Sequence, residues 1–236
     1  MNILAIDTTT KKASVSIQEN DKLYMVMVDN EITHSEKLLP LIDKVISKTN
    51  LNIKDMSILA CINGPGSFTG IRIGLATIKA LAQVNNLDIF SISSLELIAF
   101  KTHILNPKAK HVISMISTNN DRIFYCLYKT EKINGKVSIT QLTDINNDFI
   151  DDAIHKINSI SNTRQHVFIA GNCINYFEKE LSALDIPKFD IYPNTNDCIE
   201  ALQNINNFSK YTFNAFSLNA IYARPSQAER MKNEKN

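Results

Sequence analysis

Apolar residues near the start of the chain occur in short runs and in alternation with polar residues, which is the pattern of strands. The first predicted elements are three strands and a helix, near 2–7, 13–19, 22–29 and 34–48. The rest of the first half predicts a strand, a helix, a strand and a helix, near 57–62, 67–84, 87–91 and 93–103. This order indicates an α/β fold.

The same pattern begins again after Asn106 and Pro107. The second half predicts four strands, near 110–117, 122–130, 136–142 and 166–170. It also predicts four helices, near 148–160, 172–184, 195–206 and 213–221. A repeated order of this kind predicts two similar α/β lobes. We therefore predict an N-terminal lobe over 1–104, a C-terminal lobe over 105–222 and a charged, flexible tail over 223–236.

Four of the six glycines lie within residues 63–74, between a predicted strand and a predicted helix. Gly64, Gly66 and Ser67 are predicted to form the turn that leads into this helix, with Ser67 as its N-cap. A glycine turn before a helix is also a general anion site, because free amides and the helix dipole favour negative charge. The spacing matches neither G-x-G-x-x-G nor a P-loop, so a structural turn is favoured over phosphate contact.

The helix after this turn has two apolar stripes at 100° per residue. One stripe consists of Gly70, Gly74, Thr77 and Leu81. The other consists of Ile71, Leu75, Ile78 and Ala82, and the far side carries Arg72 and Lys79. The small-residue stripe would let a second helix approach closely. Alternatively, both stripes face one large core.

Asp7, Thr8 and Thr9 follow the first predicted strand and are the other candidate site. An acidic residue there can hold Mg²⁺ through water while the threonines contact phosphate. The alternative is a turn in which the same side chains cap free amides. The corresponding turn of the second half, 117–122, has no glycine, so the second half of a nucleotide site looks incomplete.

His34 is the remaining candidate for metal or catalytic chemistry. It lies at the start of a predicted helix that contains Pro40. Thr33 and Glu36 predict a capping box at the beginning of this helix. A metal site on a helix needs a second ligand at i+4, and that position is Leu38. No metal site is therefore predicted.

Composition limits the function classes further. The chain has 236 residues, a formal net charge of +1 and 44% hydrophobic residues, which is typical of a soluble globular protein and indicates no strong nucleic-acid affinity. Cysteines at 61, 126, 173 and 198 form no C-x-x-C pair, so buried free thiols in a reducing compartment are expected. The N-terminus does not resemble a signal peptide, and no apolar run is long enough for a membrane span. We expect a cytoplasmic protein.

Five segments together closely resemble the TsaB (YeaZ) family of bacterial tRNA threonylcarbamoyladenosine biosynthesis proteins. They are 3–9, 34–40, 63–74, 91–95 and 222–224. The block N-G-P-G-S-F-T-G-I-R-I-G over 63–74 is the most specific. The resemblance is strong over the first half and weaker over the second. It implies a two-lobe α/β fold of the actin-like, sugar-kinase and Hsp70 class (ASKHA, ribonuclease H-like).

The resemblance also implies a role in attaching threonylcarbamoyl to the adenosine next to the anticodon of tRNA. In that system the related subunit TsaD carries the metal and transfers the group, TsaB is its non-catalytic partner, and TsaE joins the pair. TsaD carries a His-x-x-x-His pair where this chain has His34 and Leu38, and Ser117 replaces the usual acidic residue of the second lobe. The resemblance thus implies no catalytic residue, no metal and no cofactor, and contact with tRNA only through the complex.

The helices near 34–48 and 67–84 are implied to pair with the same helices of TsaD, or of a second copy when the chain is alone. The predicted interface residues are Leu38, Leu41, Ile42, Val45, Gly70, Gly74, Thr77, Ile78 and Leu81. Two other functions remain open. One is an independent ATP-dependent enzyme of the same superfamily, based on Asp7, Thr8 and Thr9. The other is a peptidase, which lacks support because Leu38 stands where a second histidine would complete a metal pair with His34, and because the chain has no G-x-S-x-G motif.

Overall fold

A computed structural model describes residues 1–29, 34–118, 121–161 and 164–223. Thr33, the side chains of His34 and Glu36, and the predicted tail beyond Ala223 lie outside the described residues. The predicted capping box at the start of the first helix therefore stays a prediction.

The first sheet contains six strands of the described chain. They are β1 (Ile3–Asp7), β2 (Lys12–Glu19), β3 (Lys22–Asp29), β4 (Ile58–Ile62), β5 (Ile89–Ile92) and β12 (Thr212–Phe213). The strand order is β12-β5-β4-β1-β2-β3. β1 pairs antiparallel with β2 and parallel with β4, so Ile3 lies beside Gln18 on one edge and Ile58 on the other. All five residues of β1 and of β4 are buried, as expected for central strands covered on both faces.

The second sheet repeats this arrangement over the described part of the second half. Its strands are β6 (His111–Ser117), β7 (Arg122–Ile133), β8 (Lys136–Gln141), β9 (Asn146–Phe149), β10 (Val167–Gly171) and β11 (Lys188–Asp190). Its order is β11-β10-β6-β7-β8, with β9 paired to β7. β6 is thus the counterpart of β1, and β10 is the counterpart of β4. The repetition confirms two lobes of like topology, whereas their exact boundaries stay a prediction.

Six α-helices of the described chain cover these sheets. They are α1 (His34–Ile46), α2 (Phe68–Asn85), α3 (Ser94–Leu105), α4 (Ile150–Ser161), α5 (Glu178–Leu181) and α6 (Thr195–Asn204). Helices α1 and α2 cover the outer face of the first sheet, and α4 and α5 cover that of the second. Each pair of helices shares an apolar core with the sheet that it covers. None of the described helices combines the length and apolarity that a bilayer span requires.

Helices α3 and α6 lie between the two sheets and are exchanged between them. Helix α3 follows a strand of the first sheet but packs on the second, and α6 follows the second sheet but packs on the first. They share the central core with the inner faces of both sheets. The Lys101 ammonium of α3 lies 2.8 Å from carboxylate oxygens of both Asp197 and Glu200 of α6. The two lobes are therefore joined by packing and by a charged cluster.

Three predicted elements of the second half differ from the structure. The predicted helix 148–160 begins at Ile150, because residues 146–149 form strand β9 on the edge of β7. The predicted helix 172–184 is reduced to Glu178–Leu181. The predicted helix 213–221 is wrong. There the Asn214 side chain accepts hydrogen bonds from the amides of Phe216 and Ser217, which closes a turn in place of a helix.

Residues 214–223, which we call the C-terminal strap, run back to the glycine turn of the first lobe. The amide of Ile221 donates to the carbonyl oxygen of Asn63 at 2.9 Å, and the Asn63 side chain donates to the carbonyl of Asn219 at 3.0 Å. Leu218 is fully buried in the core under α1 and α2. The end of the described chain is thus fixed beside the start of α2.

Candidate functional site: the threonine turn and the outer helix pair

Asp7, Thr8 and Thr9 form a closed turn at the end of β1, which we call the threonine turn. The Asp7 Oδ1 atom accepts hydrogen bonds from the Thr9 amide at 2.8 Å and from the Thr9 hydroxyl at 2.7 Å. The Thr8 hydroxyl donates to the carbonyl oxygen of Gly70 at 2.6 Å. Each of the three residues is only 2% exposed. Their polar groups therefore hold the turn and the first turn of α2 together.

The glycines of α2 allow this close approach. A Cβ atom at Gly70 would clash with the carbonyl oxygen of Thr8, and one at Gly66 would clash with that of Thr9. A Cβ atom at Gly74 would clash with the Thr8 hydroxyl. Three of the four clustered glycines thus face the threonine turn of their own chain.

The turn that leads into α2 is held by bonds from several sides. Gly64 has φ +106°, a conformation that glycine adopts readily, and is joined to Pro65 by a cis peptide bond. Its carbonyl accepts from the amide of Ser94 at 2.8 Å. The Ser67 hydroxyl accepts from the amide of Gly70 at 3.2 Å, which confirms Ser67 as the N-cap. The Ser67 amide donates to the carbonyl of Thr9 at 2.7 Å. These contacts agree with the structural interpretation of the turn, and contact with phosphate stays a prediction.

The thiol beneath the threonine turn is not a nucleophile. Cys61 of β4 is buried, and burial raises the pKa of its thiol to about 12, with a further rise from the charge of Asp7. Its thiol donates to the Ser91 hydroxyl at 3.5 Å, which lowers the pKa by less than burial raises it. All four cysteines are free and buried, as expected from the sequence. Since the thiolate is the reactive form, Cys61 remains inert near neutral pH.

The predicted interface residues lie mainly inside the chain. Seven of the nine are buried, namely Leu38, Leu41, Ile42, Val45, Gly70, Gly74 and Ile78. Thr77 and Leu81 are half-buried. Both predicted stripes of α2 therefore face the core of their own lobe, with the glycines against the threonine turn. Contact of these nine residues with a partner stays a prediction.

A different face of α2 is turned to solvent. We call it the α2 outer face, and it consists of Thr69, Arg72, Ala76, Ala80, Gln83 and Val84. Val84 is 84% exposed, and on the neighbouring helix α1 Leu39 is 58% exposed. Arg72 was placed on the far side of α2 from the sequence, but none of these six residues was predicted as a contact residue. The signal of this face is the spacing of Thr69, Ala76 and Ala80 opposite the buried isoleucines of the same helix.

Arg72 lies at the N-terminal end of the α2 outer face and stacks on aromatic rings. Its guanidinium carbon lies 3.9 Å from the ring centre of Phe68 and 5.9 Å from that of Tyr222 in the strap. The Arg72 Nε atom donates to the Tyr222 hydroxyl at 3.2 Å. The two rings are themselves 4.9 Å apart. This cluster ties the strap to α2.

Leu38, at the i+4 position from His34, belongs to the core between α1 and the first sheet. No group of three or more His, Cys, Asp and Glu side chains suited to a metal ion occurs among the residues that the structure describes.

The chain is similar to proteins of tRNA modification. A family model described as TsaD, tRNA N6-adenosine threonylcarbamoyltransferase, matches residues 29–183. The tRNA threonylcarbamoyladenosine biosynthesis protein TsaB of Haemophilus influenzae is 26% identical over 232 residues, which are 95% of this chain and 94% of that protein. The chain belongs to the TsaD family and, within it, to the TsaB (YeaZ) proteins.

Solved structures of TsaB (YeaZ) proteins share the fold. YeaZ from Pseudomonas aeruginosa matches with a TM-score of 0.71 at 18% identity, over 94% of this chain and all of that one. A second Pseudomonas aeruginosa structure, described as similar to the peptidase YeaZ, matches with a TM-score of 0.74 at 19% identity, over 94% of this chain and 99% of that one. With the repeated sheet order, these matches confirm the predicted two-lobe ASKHA-like α/β fold.

Within this TsaB fold, four of the five segments that carried the resemblance come together at one place. The threonine turn ends β1, residues 63–74 form the turn and first part of α2, Ser94 binds the carbonyl of Gly64, and Tyr222 stacks near Arg72. In this TsaB protein these segments pack together beneath α2, and we call the region that they form the platform under α2.

Proposed function

We propose that this chain is a non-catalytic, activating subunit in the formation of threonylcarbamoyladenosine at the adenosine next to the tRNA anticodon. It pairs with TsaD through α1 and α2, and TsaE joins the pair in a ternary complex. Without TsaD, the chain pairs with a second copy of itself. It meets tRNA only through the complex, and it acts in the cytoplasm.

The proposal rests on the hydrogen bonds that the side chains of the threonine turn make. Asp7, Thr8 and Thr9 have the chemistry to hold Mg²⁺ and phosphate, yet Asp7 and Thr9 bond to each other and close the turn, while Thr8 bonds to the backbone of α2. Leu38 occupies the core where the resemblance implies a metal-binding histidine in TsaD. In this chain the threonine turn thus positions α2, and Leu38 packs α1 onto the sheet, where a catalytic relative would use these positions to bind its ligands. A rigid helix with a solvent-facing side is what a scaffolding subunit needs.

On α2, the contact surface in this proposal is the α2 outer face and not the buried residues beneath it. Ala76 and Ala80 are small and exposed at the centre of this face, so a partner helix can approach closely there. The predicted interface residues Leu41 and Ile78 act from below, since they pack α1 and α2 onto the sheet.

The test is to mix the purified chain with TsaD, measure the mass of the complex by light scattering after size exclusion, and assay threonylcarbamoylation of tRNA. We expect a heterodimer, and tRNA modification that requires both proteins. Ala76→Arg should abolish the complex because it places a long charged side chain at the centre of the α2 outer face. Ala183→Arg makes the same change at an exposed position of the second lobe and should have no effect.

Two results would contradict the proposal. One is the absence of a complex together with tight nucleotide binding and ATP turnover by this chain alone, which would support an independent ATP-dependent enzyme. The other is equal binding of TsaD by Ala76→Arg and Ala183→Arg, which would move the interface away from α2.

A further inference from the structure

Arg72 is held in one orientation before any partner binds. Its guanidinium stacks on Phe68 at 3.9 Å, and its Nε atom donates to the Tyr222 hydroxyl at 3.2 Å. A planar guanidinium fixed in this way loses less conformational freedom when it forms further hydrogen bonds. The side chain is nevertheless exposed on the α2 outer face.

The remaining donors of Arg72 have no acidic partner among the described residues. The described bonds use its Nε atom, and within the part of the chain that the structure describes no carboxylate forms an ion pair with Arg72. The two terminal nitrogens carry four N–H groups in a planar fork. This fork matches the two oxygens of a carboxylate.

The stability of α2 does not call for a cation at this position. The first turn of α2 contains no acidic residue that Arg72 could neutralise. A positive charge close to a helix N-terminus also gains nothing from the helix dipole. Stacking against the strap is therefore the only role that the fold itself gives to Arg72 among the described contacts.

The charges of α2 indicate which kind of partner fits. Arg72 and Lys79 are its charged residues, they lie on the same side, and α2 contains no Asp or Glu. Two copies that met with α2 directly against α2 would bring four cations together, and like charges across an interface are unfavourable. A partner with an acidic group opposite Arg72 avoids this cost.

We infer that Arg72 binds a carboxylate side chain of the TsaD subunit and that this ion pair favours the heterodimer over self-pairing of the chain. The inference rests on the proposed function, because it gives the chemistry of the partner at the same interface. Phe68 and Tyr222 act as positioning residues, since they orient the fork.

The first test is the affinity for TsaD, measured by calorimetry at low and at high salt. Arg72→Gln should weaken binding about 30-fold, because it leaves a partner carboxylate without its cation. Arg72→Lys should weaken binding about tenfold, since lysine keeps the charge but lacks the fork and the stacking plane. Lys108→Gln removes an exposed cation far from α2 and should change affinity by less than about twofold. The salt dependence of affinity should become shallower in Arg72→Gln, which removes the charge, and should remain in Arg72→Lys and Lys108→Gln.

Tyr222→Phe separates this role from simple support of the strap. It keeps the ring beside Arg72 and removes the hydroxyl that accepts from Nε. If Arg72 only held the strap, Tyr222→Phe and Arg72→Gln would weaken binding equally and leave its salt dependence unchanged. We expect the full salt dependence to remain in Tyr222→Phe.

The second test identifies the carboxylate directly. A carbodiimide joins an amine to a carboxyl group in contact with it. We therefore treat the complex of Arg72→Lys with TsaD with this reagent, at concentrations above the Kd of the complex. Mass spectrometry should then find an amide bond from the new lysine to one Asp or Glu of TsaD. A bond instead to Asp43 of a second copy, which is exposed on α1, would overturn the inference. So would normal TsaD binding by Arg72→Gln when the wild-type chain binds TsaD. Failure of the wild-type chain to bind TsaD would overturn the proposed function and this inference together.

Discussion

The turns after β1 and after β6 occupy the same place in their sheets but are held differently. The threonine turn after β1 is buried, and its Thr8 hydroxyl reaches the backbone of an 18-residue helix. After β6, the amide of Ser117 donates to the Asn172 side chain at 3.0 Å, and α5, the helix that follows the counterpart strand β10, has only four residues. The sheet order is the same, so the fold alone does not produce the platform under α2.

The difference lies in the glycines at the ends of two equivalent strands, β4 in the first sheet and β10 in the second. In the first lobe, Gly66, Gly70 and Gly74 let a long helix press onto the threonine turn. In the second lobe, a Cβ atom at Gly171 would clash with the carbonyl of Met115 in the adjacent strand, so this glycine serves strand pairing. Glycine is used for close approach in both lobes, but only the first lobe uses it to fix an outer helix.

The largest expected effect is on stability, from Gly70→Ala. The new Cβ atom meets the carbonyl oxygen of Thr8, which belongs to the backbone of a buried turn and cannot move aside. We expect a loss of about 3 kcal/mol in the free energy of unfolding, measured by urea denaturation. Gly135→Ala is the control, because it has nothing within 4 Å and only its φ of +83° disfavours alanine. Its cost should be about 1 kcal/mol, and equal costs at the two sites would refute the role assigned to Gly70.

A smaller effect is expected from removing one hydroxyl in each turn. Thr8→Val loses the bond to Gly70 inside the core and should cost about 2 kcal/mol. Thr118→Val loses a bond to the carbonyl of Arg122 in a half-buried position and should cost less than about 1 kcal/mol.

Thiol labelling locates the change that Thr8→Val causes. Cys61 lies beneath the threonine turn, and Cys173 is in the corresponding part of the second lobe. Thr8→Val should speed the labelling of Cys61 and leave that of Cys173 unchanged. Faster labelling of both would mean that the two turns are coupled and that the comparison between the lobes fails.

The smallest effect is one in which the lobes should agree. Burial raises the pKa of Cys61 and of Cys173 to about 12, from the ordinary value of 9.0. Above pH 9.0 the unfolded chain releases thiol protons that the folded chain keeps, so stability falls as pH rises. Each thiol should contribute about 1.4 kcal/mol per pH unit above this value. The free energy of unfolding should fall less between pH 8 and pH 10 in Cys61→Ala and in Cys173→Ala than in the wild-type chain, and by the same amount in both variants. A smaller fall in only one variant would contradict equal burial of the two thiols.

The sequence predicted β1 to β5 well because each is a short apolar run between turn residues, whereas the edge strand β12 of the same sheet was not predicted. Strands β1 to β5 lie within about two residues of their predicted positions. The second half of the chain was harder, because strand pairing and single side chains decide where its elements begin and end. Asn214 and Asn172 bond to backbone groups there, and tertiary contacts decide whether an asparagine does so.

The candidate site was predicted in part. The glycine turn and the Ser67 cap follow from local chemistry and were placed correctly. The direction of the glycine stripe could not be read from spacing, because small residues suit a partner helix and a threonine turn equally well. Arg72 was placed on the far side of α2, but its stack with Tyr222 joins residues far apart in sequence, which no local pattern reveals.

The exchange of α3 and α6 between the sheets also bears on how the chain is made. When the ribosome has synthesised β1 to β5, the helix that covers the inner face of their sheet does not yet exist, because α6 (Thr195–Asn204) comes near the end of the chain. During translation the inner apolar face of the first sheet therefore stays uncovered by α6 until most of the second lobe has been synthesised. A gene cut between the lobes would yield two products that each lack one layer.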